Sequence, residues 1–177
     1  MKKIIKFLFN MKYYFIYWNR FNGLTEEQQK YLISKKFQFK LGYKIDLDNP
    51  KTFNEKINWL KLNYKNPLLT KCADKWAVRE YVKEKIGEEY LIPLLGVWEN
   101  PDDIDFNSLP NQFVLKVNWG SGQNIIVKDK SKLDIEEAKQ QLKKCIEPEN
   151  NTYYNGLEWS YKDIPPQIIA EAYLRQL

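Results

Sequence analysis

Residues 112–128 read QFVLKVNWGSGQNIIVK and leave the backbone few choices. Phe113, Leu115 and Val117 alternate with Val114, Lys116 and Asn118, the period of a strand with one buried face. Ile125-Ile126-Val127 is a second β-like run, and the six residues Trp119–Asn124 between the two carry two glycines. The segment predicts an antiparallel hairpin with a glycine-bearing loop. Lys116 shares a face with Asn118, and Gly120-Ser121-Gly122 follows at once. Glycines let backbone amides approach a bulky anion, and a lysine beside such a nest is a phosphate-binding arrangement. A plain turn with a solvated edge lysine satisfies the same residues. The G-x-x-x-x-G-K-[ST] spacing is absent and a strand follows the loop, which excludes both a P-loop and a dinucleotide fingerprint.

Upstream the pattern is helical. Leu24 to Leu41 predicts a helix stopped by Gly42. Thr52-Phe53-Asn54-Glu55 fits a capping box, in which hydroxyl and carboxylate each satisfy an orphan amide. Phe53, Ile57, Leu60 and Tyr64 continue it as an apolar stripe, and Asn66-Pro67 reads as a break. Asp74 is positioned to cap a helix from Lys75 to Ile86, closed by Gly87. Glu89 to Trp98 contains Pro93, as in an edge strand or extended connector. Residues 99–111 are acidic and turn-rich. Asp134 opens a helix with Ile135, Ala138, Leu142 and Cys145 on one side. After an Asn-rich turn at 148–156 and Pro165-Pro166, an apolar run from Ile168 to Leu174 encloses one acid, Glu171. Helices first, then mixed strands and helices, indicate an α+β fold. Three segments are expected: a cationic aromatic stretch (1–22), a helical region (23–110) and a nucleotide-binding subdomain (111–177).

The formal charge of +5 has an address. Residues 1–20 hold Lys2, Lys3, Lys6, Lys12 and Arg20 and no acid, and the remaining basic and acidic residues balance. A nucleic-acid partner, which requires a basic face on the folded body, is not expected. Residues 4–18 (IIKFLFNMKYYFIYW) reach only ~22 Å as a helix, short of a ~30 Å hydrocarbon layer. Lys2, Lys6 and Asn10 would form one polar stripe, and Tyr and Trp favour membrane interfaces. Two readings stand side by side: an in-plane anchor on an anionic membrane, or a helix packed on the domain. The expected setting is cytoplasmic, with peripheral association on the inner membrane face. The chain has no histidine, which removes imidazole acid–base, nucleophile-activation and metal-ligand chemistry. Cys72 and Cys145 form no metal-binding spacing and suit a reducing compartment.

Asp74-Lys75 offers a second lysine near a helix start, where phosphate oxygens could meet it, although a capping Asp beside a solvated Lys satisfies the same residues. Glu171, inside an apolar strand, is costly without a donor, and an adenine amino group would serve; the other reading is an acid on the exposed face of an edge strand. The order of Asp-Lys, strand Lys, Gly-rich loop and apolar-Glu-x-x-Leu strand resembles the first part of an ATP-grasp nucleotide site. Asn49-Pro50-Lys51-Thr52-Phe53-Asn54-Glu55-Lys56, Ala73-Asp74-Lys75-Trp76-Ala77-Val78-Arg79-Glu80-Tyr81-Val82, Phe113-Val114-Leu115-Lys116, Gly120–Val127, Glu158-Trp159-Ser160-Tyr161 and Ile168-Ile169-Ala170-Glu171 together resemble the TupA-like (teichuronopeptide biosynthesis) ATP-grasp family. That family occurs in bacterial cell-surface polysaccharide gene clusters and is often labelled glycosyltransferase.

The resemblance implies that Lys75 and Lys116 hold the α- and β-phosphates of ATP. Gly120, Ser121, Gly122 and Gln123 would form the flap, and Glu171 would accept from the adenine amino group with the Ala172 and Leu174 backbones at the adenine edge. It implies a ligase that activates a carboxylate as an acyl phosphate for attack by an amine, joining a sugar acid or polypeptide to its partner, with Mg²⁺ bridging the phosphates. In that family the metal-binding acids and Asn follow the hinge strand. The sequence given stops at Leu177, so the expected chain is a truncated or split member: a partial ATP-grasp fold of hairpin, helix and hinge strand, with catalytic residues unassigned, no turnover alone and a complementary chain downstream. Two other readings are a glycosyltransferase of capsule or lipopolysaccharide synthesis, for which Asp46-Leu47-Asp48 offers an Asp-x-Asp spacing, and a non-catalytic membrane-associated remnant.

Overall fold

Two capping boxes organise the N-terminal helices. The computed structural model describes residues 11–20 and 23–174. It divides into two compact units, Met1–Lys65 and Asn66–Leu177. In the first unit, α1 (11–18) is followed by α2 (Glu26–Leu41) and α3 (Phe53–Asn63). Thr25 caps α2 with a reciprocal bond from Gln28, and Gly42 ends it in the left-handed conformation at φ 79° that glycine adopts without strain. Leu32, Ile33 and Phe37 are the buried residues of α2.

Thr52 caps α3 as its spacing predicts, but Glu55 does more than a capping partner needs. Its carboxylate accepts from the amides of Thr52 at 2.9 Å, Lys51 at 3.1 Å and Asp46 at 3.4 Å. Asp46 in turn accepts from the amides of Asp48 and Asn49, so the Asp-x-Asp spacing builds a turn here. Glu55 is the buried residue of α3, whereas Phe53 is 77% exposed and Ile57, Leu60 and Tyr64 are exposed too. The apolar stripe exists, yet it is not where this helix is buried.

The second unit begins with a helix at the predicted break. Asn66 caps α4 (Pro67–Ala73), with Pro67 in its first turn, where a missing amide hydrogen costs nothing. α5 spans Ala77–Ile86. Asp74 therefore closes α4 instead of opening a helix at Lys75, although its side chain accepts from the Trp76 amide at 2.8 Å. β1 (Leu94–Trp98) follows Pro93, and β2 (Phe113–Val117) and β3 (Asn124–Val127) form the expected hairpin. Asp134 caps α6 (Ile135–Cys145). α7 (Thr152–Gly156) lies inside the Asn-rich turn, and β4 is Ile168–Ala172.

The four strands make one sheet in the order β1-β4-β2-β3, with every pairing antiparallel. The last strand thus lies in the middle, and β1 is at an edge, as Pro93 foretells. Phe113, Leu115 and Val117 of β2, with Ile168 and Ala170 of β4, point to one face and join Leu142 of α6, Phe106, Leu109 and Trp119 in the core. Register places Val114 opposite Glu171 and Lys116 opposite Ile169 on the other face. This is an α+β fold, and the second face carries the polar residues of interest.

The backbone amides on Glu55 hold its pKa below the ordinary carboxylate value. A lowered folded pKa contributes stability above the unfolded value that is lost as pH falls through the folded one. The melting temperature of the wild-type chain is therefore expected to exceed that of Glu55→Gln at neutral pH, and the gap to close in acid. A gap independent of pH in a thermal-melt series would disprove the charge contribution.

Candidate functional site

The site forms where the turn before α5 meets the end of β2. Asn118 is fully buried, and each of its polar groups has a partner. Its Nδ2 donates to Asp74 Oδ1 at 3.0 Å and to the Pro165 carbonyl at 2.9 Å, and its Oδ1 accepts from the Gln167 amide at 2.9 Å. Its carbonyl accepts from the Lys75 amide at 2.9 Å. Three chain segments distant in sequence are joined by these bonds. A buried Asn is tolerable because its bonding capacity is satisfied.

Lys75 is fixed by the same junction. Its Nζ donates to the carbonyls of Gly120 at 2.7 Å, Val117 at 3.1 Å and Asn118 at 3.5 Å. The ammonium holds the base of the glycine loop. Burial lowers the Lys75 pKa first and the nearby Lys116 ammonium second, while Asp74 and Glu171 act the other way.

Glu171 lies on β4, diagonally across from Lys116 on the same sheet face. Its carboxylate accepts from Lys116 and, at 2.9 Å, from Arg79 of α5. Arg79 also donates to the Ile92 carbonyl at 2.7 Å. The donors that a buried carboxylate requires are thus two cations of this chain. Lys75, Lys116 and Arg79 outnumber Asp74 and Glu171 by one charge at this corner.

The loop rises from there. Gly120 and Gly122 have φ of +68° and +77°, which favour glycine in both positions. A Cβ on Gly120 would also come within 3.1 Å of Thr152 Oγ1, while Gly122 faces open space. Ser121 and Gly122 are exposed, and the Gln123 side-chain oxygen is buried without a hydrogen-bond partner. Ala172 pairs with Phe113, and its amide donates to the Pro93 carbonyl at 2.9 Å. Leu174 is exposed beyond the strand.

A family model, TupA-like ATPgrasp, matches residues 55–177. The chain belongs to the TupA-like ATP-grasp family. A comparison with curated proteins and one with solved structures each found no significant match. ATP-grasp proteins generally bind ATP and Mg²⁺. Among the described residues of this TupA-like chain, no three or more His, Cys, Asp or Glu side chains gather where a metal ion could be held.

Of the residues singled out in the sequence, Lys75, Lys116, Gly120 and Glu171 come together. Ser121, Gly122 and Gln123 extend above them, Ala172 continues the strand, and Leu174 points away into solvent. Sequence reasoning passed over Arg79 and Asn118. Arg79 stands four residues after Lys75, and the unpaired acid in the last strand was the signal that some cation had to reach it. Asn118 was visible as the polar residue that follows the strand of Phe113, Leu115 and Val117 on the face of Lys116.

Removing Arg79 leaves Glu171 with one cation and frees the Ile92 carbonyl. Arg79→Met is expected to cost about 1.5–3 kcal/mol in urea unfolding, in the range of charged hydrogen bonds. Combined with Glu171→Gln, the double variant should lose less stability than the sum of the two single losses. Strict additivity in that cycle would show that the ion pair carries no coupling.

Proposed function

We propose that this chain binds the phosphate tail of ATP in the carboxylate–amine ligase chemistry of ATP-grasp enzymes, in bacterial cell-surface polysaccharide synthesis. The observation that carries the reading is the meeting of Lys75, Lys116 and the Gly120–Gln123 loop at one corner, with positive charge in excess. Lys116 would turn from Glu171 to a phosphate oxygen, exchanging one charge-assisted bond for another. Lys75 keeps the loop base in place while its charge attracts the same anion. Exposed Ser121 and Gly122 provide amides that can close over the phosphates.

Glu171 retains capacity for the base. A carboxylate offers about four lone-pair sites, so two remain after Arg79 and Lys116 are counted. In this reading it accepts from the adenine amino group, with the Ala172–Leu174 backbone beside the ring edge. No residue of the chain is assigned to Mg²⁺, because the described residues offer no ligand set, and no step is routed through the ion. The carboxylate and amine joined are assigned by family alone, as a sugar acid or polypeptide and its amine partner.

ATP at about a hundred times its Kd should stabilise the chain by ~2.7 kcal/mol, readable as a thermal shift. Lys116→Ala is expected to weaken binding by about 1.5–3 kcal/mol, roughly ten- to a hundredfold, by calorimetry. Lys132→Ala, on an 82% exposed side chain, serves as a neutral control. No ATP-dependent shift, or equal affinity in Lys116→Ala, would end this reading. A pH series gives a second check. The lowered pKa of Lys75 means its charge is lost at lower pH than an ordinary lysine's, so ATP affinity should fall as pH rises toward that pKa. Lys75→Arg, which stays charged, should flatten the profile.

A further inference from the structure

We propose that the first unit docks on an anionic lipid bilayer through the outward face of α1, an inference that draws nothing from the nucleotide reading. α1 and the residues after it have two apolar faces. Tyr13, Ile16, Tyr17 and Arg20 recur at i, i+3, i+4 and i+7, and Ile16 and Arg20 are buried. Tyr13 and Tyr17 stack at 6.0 Å, and the Arg20 guanidinium lies 3.9 Å from the Tyr17 ring centre. Lys12 sits over the Tyr31 ring of α2 at 5.0 Å. These contacts fix the orientation of α1.

Met11, Tyr14, Phe15 and Trp18 recur at the same spacing on the other side. They are 54%, 57%, 70% and 75% exposed. Four adjacent large apolar side chains in water are unfavourable by the area rule and mark a contact surface. Trp and Tyr suit a lipid–water interface, where the ring is buried and its polar edge stays wet. The proposed geometry is that of a helix lying on the surface; among the described residues no helix is long and apolar enough to cross a membrane.

Charge selects the occupant. Met1–Lys65 holds 14 Lys and Arg against 5 Asp and Glu, a formal +9, whereas Asn66–Leu177 holds 14 against 18, or −4; the two give the +5 of the chain. The first 25 residues contain no acid at all. A unit this positive beside an aromatic face matches a surface that is both negative and apolar beneath, which an anionic bilayer is. A soluble polyanion would engage the lysines and leave the aromatic face in water.

The test is flotation of the full chain with vesicles of phosphatidylcholine alone or with about one-third phosphatidylglycerol. Recovery is expected to be at least about tenfold higher on the anionic vesicles and to fall steeply in about 0.5 M salt. Phe15→Ser with Trp18→Ser should lower recovery by about tenfold. Lys2→Gln, Lys3→Gln and Lys6→Gln together should also lower it, and Ile126→Ser, on the second unit, should not. If the aromatic double variant lost its circular dichroism spectrum, the lysine variant would decide alone. Equal recovery on neutral and anionic vesicles, recovery on neither, or wild-type recovery by the folded aromatic variant would overturn the proposal. So would retention on heparin that matches vesicle binding and ignores the aromatic variant, which would reassign the surface to a soluble polyanion.

Discussion

The buried pairing of Asp74 and Asn118 is the contact on which the arrangement of the second unit rests. Both are polar and both are withdrawn from water; Asn118 donates to Asp74 and also binds the Pro165 and Gln167 backbone of a third segment, while Asp74 accepts as well from the Trp76 amide beside it. Desolvating such groups is unfavourable by several kcal/mol unless every donor and acceptor is matched. That requirement is directional. It fixes the turn before α5, the end of β2 and the approach to β4 in one relative position, where packing of apolar side chains alone would tolerate sliding.

Electrostatics then follow from position. With the turn held, the Lys75 amine has nowhere to go but the carbonyls at the base of the loop, and Arg79, one helical turn on, reaches β4. Glu171 receives two cations from two different elements, so a buried carboxylate acts as a bridge instead of a liability. The site's surplus of one positive charge is a product of this geometry, since Asn66–Leu177 as a whole is acidic. Local organisation overrides the net balance of the unit.

Features set by neighbouring residues were legible in the sequence. The hairpin, the Thr52 capping box, the Gly42 stop and the Asp134-capped helix each depend on bonds spanning a few residues. The helix from Pro67 was hidden because Asn-Pro serves equally as a break and as a cap with proline in the first turn. α5 begins at Ala77, after a turn tied to Asn118 by the Lys75 amide and, 44 residues away in sequence, by the Asp74 side chain, contacts that no local rule contains. The exposed stripe of α3 is a related case: periodicity finds a helix and its apolar side, and burial depends on what the rest of the chain brings to it. Of the candidate site, Lys116 and Glu171 could be read from strand alternation and from the oddity of an acid among apolar neighbours. Arg79 could not, because its role is defined by the strand order.

That order has a consequence for synthesis. β4 is the last of the described strands in chain order and is inserted between β1 and β2, which leave the ribosome well before it. Until residues 168–172 emerge, two strand edges stay open, Lys116 lacks its carboxylate, and Asn118 lacks the Pro165 and Gln167 backbone. The nascent chain can form its helices and its hairpin early, because those contacts are local, but closure of the sheet waits on a long-range insertion. The corner that gathers the cations is thus assembled in a single late event, and a ribosome stalled before β4 would present a hairpin with one flank unpaired.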